Sequence, residues 1–201
     1  MSRSVLGLLL FLPGAVASQA SGRRPTQQAV FAGGCFWGVD AVFKHVHGVV
    51  RVVSGYAGGQ AGTAAYELVS TGTTGHAESV EVTFDPTQIT YDQLLDVFFT
   101  VAHDPTERDR QGPDVGTQYR SVVFYADDAQ RRSALKAITR LTQTHAFPAP
   151  IVTEVVSLGH FYPAEAYHQD YLAHHMSQPY IVYNDLPKLE RLRERFPQLY
   201  R

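Results

Sequence analysis

The sequence predicts an α/β fold, a two-layer sandwich in which a mixed β-sheet packs against helices. Three observations indicate this class. β-Branched and alternating apolar stretches predict strands, amphipathic stretches predict helices, and the two kinds of element follow one another irregularly. Some predicted strands are joined by loops with no helix between them, which favours a mixed sheet over a doubly wound parallel sheet.

The first 27 residues are predicted to precede the fold. An apolar run over residues 5–12 follows Arg3, and small residues at 15–20 then allow cleavage after Ala17 or Ala20, as in a secretory signal peptide. The run is shorter than the roughly 20 residues that span a bilayer. We therefore expect a signal peptide over 1–20, a flexible leader over 21–27, a single domain over 28–201 and an exported, periplasmic or secreted protein without stable membrane association.

The domain is predicted to begin with a strand, a turn and a helix. Residues 29–32 are apolar and end at Gly33-Gly34, where a tight turn is expected. Apolar side chains then recur at helical spacing, at Phe36, Val39, Val42 and Phe43.

Two further strands and a helix follow. Residues 49–53 are mainly β-branched and lead into glycine-rich residues 55–62, a predicted loop. Residues 79–84 alternate between apolar and polar, the period of a strand with one buried face. A helix is predicted over 91–102, with Thr90 as its N-cap in a capping box.

The second half of the domain has less regular patterns. Residues 103–118 contain many helix and strand breakers, so a long loop is predicted, of the kind that is often functional. Strands are predicted over 119–126 and 151–158, and a helix starts at Asp127-Asp128 between them. A short helix over 164–174 is followed by an extended piece and a charged helix. That last helix is predicted to begin near Pro187.

Composition excludes several function classes. Hydrophobic residues make up 44% of the 201-residue chain, enough for a core, and the formal net charge of −2 disfavours a nucleic-acid partner. The single cysteine, Cys35, excludes an intrachain disulfide and a paired-cysteine metal or redox motif. No HExxH motif occurs, and no metal site is expected.

Cys35 is the first candidate for chemistry because it lies where the first predicted strand gives way to a helix. Amides at a helix N-terminus favour a thiolate and would lower the pKa of the thiol. The alternative is an inert buried cysteine that packs as a small hydrophobe. Phe36 and Trp37 follow directly and could line an apolar pocket or simply belong to the core.

Glu78 is the second candidate. It shares the face of the predicted strand 79–84 that carries the apolar residues, so it is either a solvated carboxylate at the end of that face or an acid held in an apolar site. In the second case its pKa rises, and it could donate a proton near neutral pH. Tyr66 and Tyr119 follow breaker-rich loops and could direct hydroxyls at the same place, or could serve packing alone.

Five motifs together resemble the A-type peptide methionine sulfoxide reductases. They are GCFWG at 34–38, GYAGG at 55–59, TGHAESVEVTFDP at 74–86, HDP at 103–105 and DVGTQYRS at 114–121. The resemblance covers about residues 28–175, and the tail PYIVYNDLPKLERL resembles the single-cysteine members.

The resemblance implies a two-layer fold with a ferredoxin-like core and an oxidoreductase. Its reaction would reduce the S epimer of methionine sulfoxide, free or in oxidised proteins, as protein repair under oxidative stress. Cys35 would attack the sulfoxide sulfur, Glu78 would protonate the oxygen, and Tyr66 and Tyr119 would hold it. Asp114 would join the polar network. Phe36 and Trp37 would accept the S-methyl group, and His168 would lie near the site.

No metal, flavin or nicotinamide is required by this chemistry. The chain has no second cysteine to resolve a sulfenic acid, so an external thiol such as thioredoxin, glutaredoxin or glutathione is expected. We expect a monomer. Two other functions stay open on the residues alone: an exported thiol hydrolase or acyltransferase with a Cys-His pair, and a non-enzymatic binding module for small sulfur compounds.

Overall fold

The computed structural model describes residues 25–201, so the predicted signal peptide lies outside the described residues. Gln27 already belongs to the first strand, one residue before the predicted start of the domain. Within residues 25–201 the strands are β1 (Gln27–Gly33), β2 (Val49–Ala57), β3 (Ala77–Phe84), β4 (Arg110–Gln111), β5 (Asp114–Val115), β6 (Ser121–Tyr125), β7 (Glu154–Ser157) and β8 (Phe161–Pro163). The α-helices are α1 (Phe36–Lys44), α2 (Tyr66–Val69), α3 (Tyr91–Val97), α4 (Asp128–Gln143), α5 (Tyr171–His174) and α6 (Leu186–Arg195).

Six of these strands form one mixed sheet in the order β7-β6-β1-β3-β2-β8. All neighbouring pairs are antiparallel except β6 and β7, which run parallel. The chain segments β1-α1-β2-β3-α3-β6, with strands in the spatial order β6-β1-β3-β2, make a ferredoxin-like unit. The mixed sheet and the two-layer α/β class are therefore confirmed. β4 and β5 form a separate hairpin.

The main core lies between one face of the sheet and the helices. Phe31 of β1 stacks on Phe43 of α1 and on Phe98, with ring centroids 5.3 and 4.9 Å away. On β3, Val80 and Val82 point into this core. Burial of one such side chain contributes about 1.5–3 kcal/mol, so this face fixes β3 and the residues that begin it.

Side-chain caps set two of the helix starts where the sequence places them. The Thr90 hydroxyl accepts from the Gln93 N–H at 3.2 Å, and the Gln93 side chain accepts from the Thr90 N–H at 2.9 Å, which confirms the capping box. Asp127 caps α4 by accepting from the Gln130 N–H at 2.9 Å. The helix predicted over 91–102 is α-helical only as far as Val97 and then becomes a π-helix, Phe98–Ala102.

The glycine-rich loop predicted over 55–62 is wrong for its first three residues, because β2 continues to Ala57. A Cβ atom at Gly55 would lie 2.3 Å from the Tyr162 carbonyl oxygen. Glycine here allows β8, which the sequence did not indicate, to pair with β2. Two later strands are shorter than predicted: β6 covers only Ser121–Tyr125, and β7 covers only Glu154–Ser157.

The loop predicted over 103–118 contains the β4–β5 hairpin, and a 3-10 turn, Thr117–Tyr119, follows it. The helix predicted over 164–174 is broken into a 3-10 turn, Ala166–His168, and α5. Asp170, with φ +55°, separates them. The segment from Asp170 into α5 lies against α1.

The predicted extended piece in the tail is also wrong, because a π-helical turn, Ile181–Asp185, leads directly into α6. α6 begins at Leu186, one residue before Pro187, in agreement with the prediction. Within residues 25–201, no helix combines the length and the hydropathy needed to cross a bilayer.

Candidate active site

Cys35 lies at the N-terminus of α1, directly after the turn that ends β1. Gly34 has φ +86°, and a Cβ atom there would lie 2.5 Å from the Gln111 side chain, so only glycine lets the hairpin loop approach this closely. The turn leaves the Cys35 side chain 8% exposed at the junction of strand and helix. This position agrees with the sequence prediction.

The predicted lowering of the Cys35 pKa is wrong. Burial raises the pKa of the thiol above its usual value, and the carboxyls of Glu78 and Asp185 raise it further. The Trp37 backbone N–H and the Lys188 ammonium act in the opposite direction without overcoming these effects. The helix N-terminus does favour the thiolate, but the loss of hydration outweighs it.

Glu78 is a buried acid on the core face of β3, as the second reading of the sequence required. Its side chain is 2% exposed, and Oε2 accepts from the Phe36 backbone N–H at 3.1 Å. Burial raises the pKa of this carboxyl to about 8, with the Phe36 N–H opposing and Asp114 adding to the shift. The acid therefore lies under the first turn of α1 and remains largely protonated at neutral pH.

Tyr66 and Tyr119 both lie close enough to be affected by Cys35 and Glu78. Burial raises the pKa of each phenol, and the Glu78 and Cys35 charges raise it further. Tyr66 begins α2, and its N–H donates to Glu165 Oε1 at 2.9 Å. Tyr119 ends the 3-10 turn before β6. The structure thus brings together the two hydroxyls that the sequence singled out.

Trp37 is half-buried, with one face of its ring stacked and its ring N–H hydrogen-bonded. Its ring stacks on Tyr171 with centroids 3.7 Å apart and planes 7° apart, and Nε1 donates to His168 Nδ1 at 3.2 Å. Lys44 of α1 bonds Asp170 at 2.6 Å and ties the segment that carries Tyr171 to the same helix. The indole therefore has one orientation.

The His168 ring lies among the aromatic residues and is neutral. Its ring centroid is 5.0 Å from that of Phe36 and 4.4 Å from that of Tyr66. Burial lowers the pKa of His168, and Nδ1 accepts from Trp37, so Nε2 carries the proton. Nε2 is buried and has no hydrogen-bond partner within residues 25–201. Phe36, at 1% exposure, closes the inner side of this aromatic pocket.

Asp114 lies in the β4–β5 hairpin, and its carboxylate accepts a hydrogen bond from the Tyr180 hydroxyl. Tyr180 also meets Trp37 edge-on, at a centroid distance of 6.0 Å. Asp114 is implied by the family resemblance, whereas the sequence did not indicate Tyr180. No periodicity identifies this tyrosine, because it precedes a π-helical turn.

The start of α6 also packs against the first turn of α1, which the sequence did not indicate. A Cβ atom at Gly38 would lie 2.1 Å from Asp185 Oδ1 and 2.6 Å from Lys188 Nζ. Asp185 is fully buried, and Lys188 Nζ pairs with it at 3.1 Å. Glycine at position 38 therefore places an ion pair beside the helix that begins at Cys35.

A cavity of about 390 Å³ opens onto Cys35 from the side of α6. Its walls include Tyr180, Asn184, Lys188 and Arg191 from the C-terminal segment and Asp114 from the hairpin. Phe36, Trp37, Glu78 and the two site tyrosines Tyr66 and Tyr119 do not line it. Cys35 thus borders both the aromatic pocket and this charged cavity. Within residues 25–201 no group of three or more His, Cys, Asp or Glu side chains could hold a metal ion.

The histidine that lines the cavity beside Cys35 is not available as a base. His103 lines the same cavity, but its Nδ1 lies 3.0 Å from the Phe98 carbonyl oxygen and its Nε2 lies 2.6 Å from the Ser121 hydroxyl. Burial lowers the His103 pKa to about 4. The geometry therefore offers a sulfur nucleophile with a carboxylic acid, and not the Cys-His pair of a thiol hydrolase.

Comparison with known proteins agrees with this arrangement. Residues 27–200 match the family model for peptide methionine sulfoxide reductase. The chain is 56% identical to peptide methionine sulfoxide reductase MsrA 2 of Mesorhizobium japonicum over 87% of this chain and 90% of that protein. It is 49% identical to the MsrA of Thermus thermophilus over 88% of this chain and 99% of that protein.

Solved structures with the same fold lead to the same family. Methionine sulfoxide reductase A of Corynebacterium diphtheriae superposes with a TM-score of 0.71 at 36% identity, covering 83% of this chain and 82% of that one. Mxr1 of Saccharomyces cerevisiae in complex with Trx2 superposes with a TM-score of 0.51 at 25% identity, over 73% of this chain and 84% of that one. The chain belongs to the peptide methionine sulfoxide reductase family and is a peptide-methionine (S)-S-oxide reductase.

Proposed function

We propose that Cys35 and Glu78 carry out the sulfoxide reduction as nucleophile and acid. The observation that supports this most directly is the buried Glu78 carboxyl, whose pKa of about 8 keeps a proton beneath the helix turn that presents Cys35. An acid with that pKa is roughly nine-tenths protonated at pH 7. A proton donor is what the poorly basic sulfoxide oxygen needs as its bond to sulfur breaks.

The reaction transfers one oxygen atom. The Cys35 sulfur attacks the sulfoxide sulfur, Glu78 delivers its proton to the oxygen, and the thiol proton restores the acid. Cys35 leaves the step as a sulfenic acid, oxidised by two electrons, and the sulfoxide leaves as a thioether. Because burial raises the pKa of both Cys35 and Glu78, the resting site holds both protons that these steps use.

Tyr66 and Tyr119 hold the oxygen in this proposal. Their raised pKa values keep both hydroxyls protonated, so each can donate to an oxygen that gains negative charge. Fixed donors in a site without bulk water stabilise such charge far more than water does. Trp37 and Phe36 receive the S-methyl group, since sulfur-aromatic contacts favour a small thioether-like group by about 0.3–1.5 kcal/mol.

Asp114 and His168 have positioning roles. Asp114 holds Tyr180 against the edge of Trp37, and His168 accepts from the Trp37 indole N–H. Both contacts fix the orientation of the indole, so the methyl pocket is formed before substrate binds.

Recycling requires an external thiol because Cys35 is the only cysteine of the chain. The complex of Mxr1 with Trx2 supports a dithiol protein of that type as one reductant, and a glutaredoxin or glutathione could act through a mixed disulfide. We further propose that residues 1–20 direct export to the periplasm and that the mature enzyme is a monomer acting on oxidised proteins and free methionine sulfoxide. Amino-terminal analysis of the protein recovered from a periplasmic fraction tests the export proposal.

A single-turnover experiment tests the chemistry. With excess methionine S-sulfoxide and no thiol, the enzyme should release about one methionine per chain, and intact mass should rise by about 16 Da at Cys35. The R epimer should release none, and Cys35→Ser should release none from either epimer. Methionine release by the Cys35→Ser variant, or repeated turnover without a thiol, would remove Cys35 from its assigned role.

A further inference from the structure

The charged cavity beside Cys35 has features that the sulfoxide reaction does not use. Phe36, Trp37 and Glu78 do not line it, and only its Tyr180 wall meets Trp37, so a molecule in it approaches Cys35 from outside the methyl pocket. Its volume of about 390 Å³ lies within the range of small-molecule sites. The cavity is therefore large enough to hold a small molecule beside Cys35.

The walls carry charges of both signs, and their two cations lie together on α6. The carboxylates facing the cavity are engaged: Asp104 accepts from Thr106, Glu107 accepts from the Gly112 N–H at 2.8 Å, and Asp114 accepts from Tyr180. Arg191, in contrast, forms no ion pair within residues 25–201, and its one hydrogen bond, to the Val101 carbonyl oxygen, is 3.5 Å long. Hydrogen bonds to neutral donors do not remove the negative charge of these carboxylates, so the cationic donors available to a ligand are confined to the α6 side of the cavity.

Lys188 extends this cationic wall towards Cys35. It lies three residues before Arg191 on α6, so the two side chains share one face of the helix. Its ammonium has Asp185 Oδ1 as one partner at 3.1 Å and has further protons to donate. A carboxylate placed between Lys188 and Arg191 would gain charge-assisted hydrogen bonds on the same side of the cavity.

We propose that this cavity binds the resolving thiol, and that this thiol is a small molecule whose carboxylate is held by Lys188 and Arg191. The inference rests on the proposed function, in which Cys35 becomes a sulfenic acid. The thiol RSH attacks the Cys35 sulfur, forms the Cys35–S–S–R bond and releases the hydroxyl with a proton as water. A second RSH attacks the sulfur that is bonded to R in this mixed disulfide. The products are the disulfide R–S–S–R and the Cys35 thiol.

Arg191 and Lys188 have separate effects in these steps. Arg191 and Lys188 together orient the carboxylate, so the sulfur of a short thiol is directed at Cys35. Lys188 also favours the Cys35 thiolate, which is the leaving group when the mixed disulfide is cleaved. A thiol bound at α6 thus provides the second sulfur that the chain itself lacks.

The test compares two thiols that differ in charge. At saturating methionine S-sulfoxide, kcat/KM is measured for 3-mercaptopropionate and for neutral 2-mercaptoethanol, each divided by its thiolate fraction. We expect the wild type to prefer 3-mercaptopropionate at least about tenfold, and the preference to fall with added salt. Arg191→Gln should reduce the ratio about fivefold or more, and Arg191→Lys should restore part of it.

Arg193→Gln on the same helix is the matched control, because Arg193 is exposed and does not line the cavity. It should keep the wild-type ratio. Equal use of the two thiols by the wild type, an unchanged ratio in Arg191→Gln, or recycling by thioredoxin with no small thiol active would each overturn the inference. Single turnover without thiol, measured in the same preparations, distinguishes failure of this inference from failure of the proposed function. If methionine is released but the two thiols have equal kcat/KM, the cavity proposal is wrong and the proposed function stands.

Discussion

On one side of Cys35 lie aromatic rings and a buried neutral acid, and on the other side lie an ion pair, an arginine and an open cavity. The aromatic side is built from α1 itself and from the segment that carries His168 and Tyr171. The charged side is built from the C-terminal segment that leads into α6. A single sulfur atom thus faces two environments.

The two half-reactions proposed for Cys35 benefit from different surroundings. Removal of oxygen from a sulfoxide benefits from a dry pocket with fixed proton donors, where Glu78 stays protonated. Exchange with a thiol benefits from a nearby cation, which favours thiolates. The Cys35 pKa reflects both sides, since Glu78 and Asp185 raise it and Lys188 lowers it.

Removal of the acid on the aromatic side should have the largest effect on rate. Glu78→Gln keeps the shape and the contact to the Phe36 N–H but cannot deliver a proton, so kcat should fall about 10² to 10⁴-fold. In the wild type, the rate of the chemical step should fall as pH rises through about 8, where Glu78 ionises. A glutamine variant that retained the same high-pH limb would assign that limb to another group.

The same variant has a stability signature that a purely local effect on rate would lack. The folded pKa of Glu78 is raised, so its contribution to stability is fully present below the unfolded value of about 4.5 and is lost as pH rises through about 8. Between these values the wild type should lose about 1.4 kcal/mol of unfolding free energy per pH unit relative to Glu78→Gln. Parallel denaturant titrations from pH 5 to 8 measure this.

The two hydroxyls near Glu78 should have the next largest effect. Tyr66→Phe and Tyr119→Phe should each lower kcat by about tenfold to a hundredfold, because each removes one donor to the developing oxyanion. Tyr125→Phe, on β6 and away from the site, is a suitable control. A double variant no slower than either single variant would show that the two hydroxyls act as one unit.

Loss of the indole should change binding more than stability. Trp37→Ala removes the stacked wall of the methyl pocket and should raise KM for methyl sulfoxides about tenfold, or ~1.4 kcal/mol. Trp37 is only half-buried, so the stability cost should stay below the 3–5 kcal/mol typical of a core tryptophan. Thermal melts recorded beside the kinetics distinguish the two effects, and a large drop in Tm with unchanged KM would place Trp37 in the core.

On the charged side, the expected effect is the smallest. Lys188→Gln should raise the Cys35 pKa and slow its alkylation by iodoacetamide at pH 8 about threefold, because the thiolate loses the cation that lowers its pKa. Lys136→Gln on α4 is an exposed control. The double variant Asp185→Asn, Lys188→Gln removes both charges of the pair and should recover part of the rate. Unchanged alkylation in Lys188→Gln would mean that Asp185 cancels the ammonium.

Those parts of the site that depend on neighbouring residues in the chain could be predicted from the sequence. The Gly33-Gly34 turn and the alternation along β3 place Cys35 and Glu78 correctly, because turns and strand faces follow from local pattern. Whether Glu78 is solvated or buried could not be decided, since that depends on α1 covering the end of the strand. The direction of the Cys35 pKa was wrong for the same reason: a helix N-terminus is visible in sequence, and loss of hydration is not.

The parts contributed by the C-terminal segment were missed. Tyr180 and Lys188 reach the site through tertiary packing on α1, and Gly38 gives little sign of a close approach until its neighbours are known. The predicted extended piece at this point was wrong because the β-branched residues Ile181 and Val182 lie in a π-helical turn. β8 was missed because three residues give too short a pattern.

The π-helical turn at Ile181–Asp185 has a consequence for helical phase. In an ideal α-helix, Tyr180 and Lys188, eight residues apart, would point about 80° from each other. A π turn holds one extra residue, so the two side chains behave as if seven apart and differ by about 20°. Deletion of a single residue from the turn would rotate the preceding residues by about 100° relative to α6. Tyr180 would then lose either its hydrogen bond to Asp114 or its place beside Lys188 in the cavity wall. Surface loops tolerate insertions and deletions of single residues, but in this turn such a change would disrupt the site.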